Sequence, residues 1–148
     1  MSTYLNANSG ASGQEVTQSA SLLVIKLSQV TVASQPGMWN DSLSAFIAPA
    51  DGVYRVTGSS VFSGGNNVGD GVIMGFSVNQ QGPWPPIGPD LSTTNVIVIE
   101  PGYFTNATAQ GVAALLTLKK GDTVQLALQG IDSSRFALSY SFLLVQSA

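Results

Sequence analysis

The sequence contains no cysteine and no histidine. Without cysteine there can be no disulfide framework, thiolate metal site or thiol nucleophile. Without histidine the commonest general base and metal ligand is missing. Charge is also scarce: 9% of the 148 residues are Asp, Glu, Lys or Arg, against a usual ~25%. The basic residues are Lys26, Arg55, Lys119, Lys120 and Arg135, and only the adjacent lysines cluster. Such a chain offers no basic face to phosphates or anionic lipids, so we expect neither nucleic acid nor membrane as partner. No apolar run approaches the ~20 residues of a membrane-spanning helix. The opening Met1-Ser2-Thr3-Tyr4 leads into Asn, Ser, Gly and Gln rather than a basic then apolar stretch. It does not read as a secretory signal, and synthesis in the cytoplasm is expected.

Apolar residues make up 44% of the chain, and the net charge is −3. That composition excludes general disorder, and the length suits one domain with a real core. Soluble surfaces normally carry ~25–35% charged residues. Here Ser, Thr, Asn, Gln and Gly must do the solvating. Two arrangements fit: a monomer with an uncharged polar coat, or an oligomer that hides part of its surface. We expect the oligomer.

Residues 1–20 hold few apolar side chains and read as an extended arm, either a frayed end or a segment that orders against a partner. The domain proper is placed at 21–148. From residue 21 the dominant period is two, which means strands. Ser21 to Leu27 is apolar on both faces, with Leu23, Ile25 and Leu27 on one of them. After the Asp51-Gly52 turn, Tyr54, Val56 and Phe62 share a face, and Val72, Met74, Phe76 and Val78 share another. Val112, Ala114, Leu116 and Leu118 point one way, Lys119-Lys120-Gly121-Asp122 turns the chain, and Val124, Leu126 and Leu128 continue the row. This alternation reads as a half-buried antiparallel hairpin. In the last strand Phe136, Leu138, Tyr140, Phe142 and Leu144 alternate with Ala137, Ser139, Ser141, Leu143 and Val145. Both sides are partly apolar, which suits a strand packed on the core and on a neighbouring subunit. No helical segment is convincing. Strands separated by Gly, Pro, Asn and Asp clusters indicate an all-β sandwich or jelly roll.

Three segments together resemble the globular head of complement's first component and the related tumour-necrosis-factor-like domains. They are Phe46-Ile47-Ala48-Pro49-Ala50-Asp51-Gly52-Val53-Tyr54, then Leu116 to Leu126 around Lys119-Lys120-Gly121-Asp122, then the closing Ser141-Phe142-Leu143-Leu144. The resemblance spans roughly residues 21–146. It implies a TNF-like antiparallel jelly-roll sandwich assembled as a homotrimer, with trimer contacts from the first and last strands. On that basis Leu23, Ile25, Leu27, Tyr140, Phe142, Leu143 and Val145 are the expected trimer-interface residues. Trimeric domains of this kind also occur in bacteriophage particles. A cysteine-free, low-charge chain without a visible signal fits that setting.

No catalytic residue is assigned. The carboxylates Glu15, Asp41, Asp51, Asp70, Asp90, Glu100, Asp122 and Asp132 form no pair with the marks of acid–base work. Asp51 and Asp122 sit beside Gly in turns. Neither a nucleophile elbow nor a phosphate loop is present. Asn66, Asn67 and Asp70 offer oxygens in a Gly-rich stretch, but not at a recognised calcium spacing. We expect no metal and no cofactor. Trp84, flanked by Pro83, Pro85 and Pro86, is a candidate partner loop, since a rigid exposed indole stacks well on a sugar or fills a protein pocket. Trp39 is a second candidate, more simply read as packing. The sequence-level expectation is a structural virion protein: a trimer that decorates or cements a bacteriophage capsid, binding the major capsid protein or another virion protein. The alternative is a trimeric receptor- or glycan-binding module at a fibre or tail tip, meeting a host-surface glycan.

Overall fold

A computed structural model describes residues 2–10, 14–17, 23–63, 71–79, 96–103, 108–130 and 135–148. The chain runs through β1 (Tyr4–Asn8), β2 (Gln14–Thr17), β3 (Leu23–Val24), β4 (Gln29–Ala33), β5 (Trp39–Asn40) and β6 (Ala45–Ile47). It continues through β7 (Gly52–Ser63), β8 (Gly71–Val78), β9 (Val96–Tyr103), β10 (Thr108–Leu118), β11 (Thr123–Gly130) and β12 (Arg135–Ser147). Every pairing is antiparallel. One sheet, A, has the order β10-β7-β12-β1-β4, with β2 also on β12; the other, B, has the order β5-β6-β11-β8-β9, with β3 also on β11. Among the described residues there is no helix, so none that could cross a membrane.

The two sheets close on one apolar core. Sheet A contributes Leu5, Ala7, Tyr54, Val56, Val112, Leu116, Leu118, Leu138, Leu143 and Val145; sheet B contributes Phe46, Met74, Phe76, Val124, Leu126 and Leu128. The alternations expected for β7, β8, β10 and β11 are therefore the ones that fill it. Phe46 meets Tyr54 edge-on at 5.5 Å, and the Tyr54 hydroxyl donates to the Ala50 carbonyl at 2.7 Å, which satisfies its one polar atom. Gly58 lies in β7 where that core is tightest. A Cβ there would stand 2.5 Å from Leu126 Cδ1 and 3.3 Å from Phe76 Cε1.

Three sequence-level expectations need correction. Residues 1–20 are not an arm outside the domain: β1 lies within sheet A, paired to β12 on one side and β4 on the other, and β2 pairs β12. Leu5 and Ala7 are fully buried, so β1 is part of the sandwich rather than of an arm. Second, β10 and β11 are not a hairpin. β10 pairs β7 in sheet A, while β11 pairs β6 and β8 in sheet B, so the turn carries the chain between sheets. Both strands turn an apolar row inward, and alternation alone cannot say whether two such rows lie side by side or face to face. Third, the strand expected over Ser21 to Leu27 ends at Val24, with Ser21 and Leu22 outside the described residues, and Ile25 and Leu27 enter the core.

The corner around 119–122 is held by a carboxylate. Asp122 Oδ2 accepts from the Lys119 N–H at 2.8 Å, and Oδ1 accepts from Asn79 Nδ2 at 3.0 Å. Asn79, in the left-handed region at φ 57°, accepts the Thr123 N–H at 2.9 Å. Asp51 accepts the Lys120 N–H at 2.8 Å. Gly121, at φ 91°, makes the reversal that a side chain would strain. The Lys119 N–H and then the Asn79 amide hold the Asp122 carboxyl below its ordinary value, with the Lys119 charge adding to them and desolvation opposing.

Three outcomes follow. Gly58→Ala overpacks the core and lowers unfolding free energy by about 1–3 kcal/mol in urea titration. Deleting residues 2–10 removes β1 and abolishes cooperative unfolding, read by circular dichroism during heating. Asp122 binds protons more weakly folded than unfolded, so its contribution is present above about pH 4 and fades as pH falls further. Melting temperatures of the wild type and Asp122→Ala should differ near neutrality and converge in acid.

Candidate functional site

The face of sheet A turned away from the core is built by two one-residue irregularities. In β12, Leu138 opposes Phe62 but Tyr140 opposes Val61, so Ser139 is an extra residue. A bulge of this kind reverses which alternate side chains face inward. Before it Leu138 is buried; after it Ser141, Leu143 and Val145 are buried, and Tyr140, Phe142 and Leu144 turn outward. In β4, Asn6 opposes Val32 and Ala7 opposes Val30, so Thr31 is the extra residue.

The outer face can be followed across the strands by register. One row runs Ala113, Thr57, Leu144, Asn6 and Val32; the next runs Gly111, Ser59, Phe142, Asn8 and Gln29. A third carries Leu115, Arg55, Gln146 and Tyr4. The Tyr140 and Phe142 rings lie 6.3 Å apart. Among the described residues, the large apolar side chains left exposed are Val30, Val32, Val53, Leu115 and Tyr140, at 39–63%. All belong to sheet A. Val30 sits at its open β4 edge, and the other four are on the outer face. Arg55 is the one charged side chain on those three rows. Small residues (Gly111, Ala113, Ser59, Thr57) leave Phe142 and Leu144 half open.

The expected interface residues divide. Tyr140 and Phe142 lie on this face. Ile25, Leu27, Leu143 and Val145 do not: each is buried in the chain's own core and cannot be offered to another subunit. The physical reason for the last two is the extra residue at Ser139. Leu23 lies in β3, on sheet B, and its side chain is outside the described set. Trp84, Pro85 and Pro86 also lie outside the described residues. Trp39 packs against the core from β5, with its indole N–H buried and unpartnered; the packing reading holds. Sequence reasoning missed Val30, Val32, Val53 and Leu115. Arg55, exposed amid uncharged neighbours on β7, was the available signal for the outer side of that strand.

The inward side of β12 carries a polar patch as well. Ser60 and Ser141 hydroxyl oxygens are 2.6 Å apart and buried, and the Ser141 N–H donates to Ser9 Oγ at 2.9 Å. These atoms satisfy one another. No group of three or more His, Cys, Asp or Glu among the described residues could hold a metal ion.

No protein-family model matches the sequence, and no curated protein does. Solved structures match over the whole chain. The globular domain of zebrafish complement 1qA protein has 10% identity and a TM-score of 0.56, covering 99% of this chain and 97% of its own. Murine APRIL has 10% identity and a TM-score of 0.62, with both chains covered completely. Eiger TNF from S. frugiperda has 14% identity and a TM-score of 0.58, covering 100% of this chain and 92% of its own. The fold of this chain is an all-β antiparallel jelly-roll sandwich of the TNF-like and C1q-like kind.

Proposed function

We propose that the chain is a non-catalytic recognition module that works as a homotrimer closed through the outer face of sheet A. The observation that carries this is the gathering of exposed apolar side chains on one sheet, with Arg55 the one charge in their midst. Fully burying a Val, Leu or Phe contributes about 1.5–3 kcal/mol, while association costs an estimated 4–15 kcal/mol. No single valine can drive assembly, but a face holding Val32, Val53, Leu115, Tyr140, Phe142 and Leu144 can.

The edges of the same sheet favour a ring over a pair. Gln29–Ala33 and Thr108–Leu118 carry no charge and no proline, the devices that usually protect open edges. A two-fold, face-to-face dimer buries the face and leaves both edges bare. A cyclic assembly sets an edge of one copy on the face of the next and covers both features together.

The receptor- or glycan-binding reading is favoured over capsid cementing. An arm at residues 1–20 that orders against a partner would have helped to anchor the chain to a shell, and β1 and β2 are instead paired within sheet A. A virion surface is nonetheless the setting we propose, supported by the cysteine-free, low-charge composition.

Native mass spectrometry at low protein concentration should find trimers. Leu144→Lys and Phe142→Asp, both on the outer face, should give folded monomers with unchanged strand content by circular dichroism. A monomeric wild type, or trimers that persist in both variants, overturns the assembly.

A further inference from the structure

We infer that a hollow beside the β5–β6 connection is a saccharide-binding site. It deepens the recognition reading above, and rests on it, by naming the ligand class. The hollow measures about 300 Å³ and is lined by Lys26, Leu27, Ser28, Asp41, Ser42 and Ser44. None of these lies on the apolar face of sheet A. Leu27 and Ser44 are buried and form the floor; Lys26, Ser28, Asp41 and Ser42 are exposed and form the rim.

The site is built before any ligand arrives. Asn40 Oδ1 accepts from the Leu43 N–H at 3.1 Å and from the Ser42 hydroxyl at 2.8 Å. Gln125 Nε2, a buried side chain of β11, donates to the Leu43 carbonyl at 2.7 Å. The Leu27 N–H donates to Ser44 Oγ at 3.0 Å, tying the two walls together. Ser44 holds φ 49°, a left-handed conformation without glycine. Such a residue costs about 1–3 kcal/mol and persists only where its surroundings over-determine it. A connection fixed this firmly loses little entropy on binding.

The lining decides the ligand class. A volume at the lower end of ligand pockets suits one small ring. Lys26 supplies an ammonium donor, Asp41 a carboxylate acceptor, and Ser28 and Ser42 hydroxyls that can do both. Neighbouring sugar hydroxyls need donors and acceptors at short spacing. Ser42 spends its proton on Asn40 and keeps lone pairs for a ligand O–H. A free amino acid would engage Lys26 and Asp41 and leave the seryl hydroxyls without work.

The test is saturation-transfer NMR on the intact protein with a panel of methyl glycosides (glucose, galactose, mannose, N-acetylglucosamine), and free glycine as the zwitterion control. At least one glycoside should bind at millimolar concentration. Asp41→Asn and Lys26→Met should each weaken it about ten-fold or more, since hydrogen bonds to charged groups are the strong ones. Lys120→Met, remote in the fold, should change nothing. Both site variants must melt like the wild type; a third, Ser28→Ala, on the rim, gives the same reading if one does not. No transfer to any glycoside, transfer indifferent to all three site variants, or Asp41-dependent binding of glycine alone overturns the site. Mass spectrometry on the same samples separates the two proposals: binding by a monomer keeps the hollow and removes the trimer, and a trimer blind to all four glycosides does the reverse.

Discussion

β12 is hydrogen-bonded to β7 along one side and to β1 and β2 along the other, so the direction of its alternate side chains sets the direction of the whole of sheet A. One extra residue at Ser139 sets it. Without that residue, strict alternation from Leu138 would turn Tyr140, Phe142 and Leu144 into the core and push Leu143 and Val145 out. The core beneath β12 has no room for two more aromatic rings: Leu126 and Phe76 already approach Gly58 so closely that a Cβ would collide. With the bulge, slim side chains (Ser141, Leu143, Val145) pack inward and the aromatics are displaced to the other side. Close packing of the interior and a greasy exterior are thus two results of one register shift.

That exterior has to be accounted for in the free energy of the chain. A monomer this poor in charge gains little solubility from Ser, Thr and Asn when one sheet presents Leu115 and Tyr140 to water. Sheet B solves the same problem within the chain. Its outward Gln125, Ser77 and Ala127 are buried, and the Gln125 amide is covered by the Leu43 carbonyl. Sheet A has no such cover among the described residues. The asymmetry between the two sheets, more than the amount of apolar surface, is what supports the proposal that a second copy of the chain covers sheet A.

The core-facing half of the fold was legible in the sequence because Tyr54/Val56, Met74/Phe76 and Val124/Leu126/Leu128 alternate cleanly. β1 was overlooked because only Leu5 and Ala7 mark it among Tyr4, Asn6 and Asn8, too few apolar residues to register as a period. The 119–122 turn was legible as local chemistry, since Gly121 and Asp122 are what such a reversal needs. Its partners were not, because pairing is decided by strands distant in sequence, with Leu116 opposite Tyr54 and Leu126 opposite Phe76. The single-residue shifts at Thr31 and Ser139 leave no mark on composition, yet they decided which interface residues could be right. Tyr140 and Phe142 stand on the outer face, whereas the bulge after Leu138 turns Leu143 and Val145, expected at the same interface, into the core. The hollow was invisible for a different reason: Lys26 and Asp41 meet only through the pairing of β3 and β6 on the same side of β11.

The two surfaces place opposite demands on the backbone. A face that recruits copies needs area and shape, and tolerates exchange among apolar residues of similar size. A small polar hollow needs position, because a hydroxyl displaced by an ångström no longer makes its hydrogen bond. The long strands β7, β10 and β12 supply the area that the first demand requires. The second is met by a short connection between β5 and β6, held by Asn40, Gln125 and the left-handed Ser44. The rigidity of that connection derives from the outer side of sheet B, through Gln125 of β11, while the exposed apolar surface belongs to sheet A. Changes in one can therefore accumulate with little effect on the other, which is what the proposed assembly and the proposed saccharide site would together require.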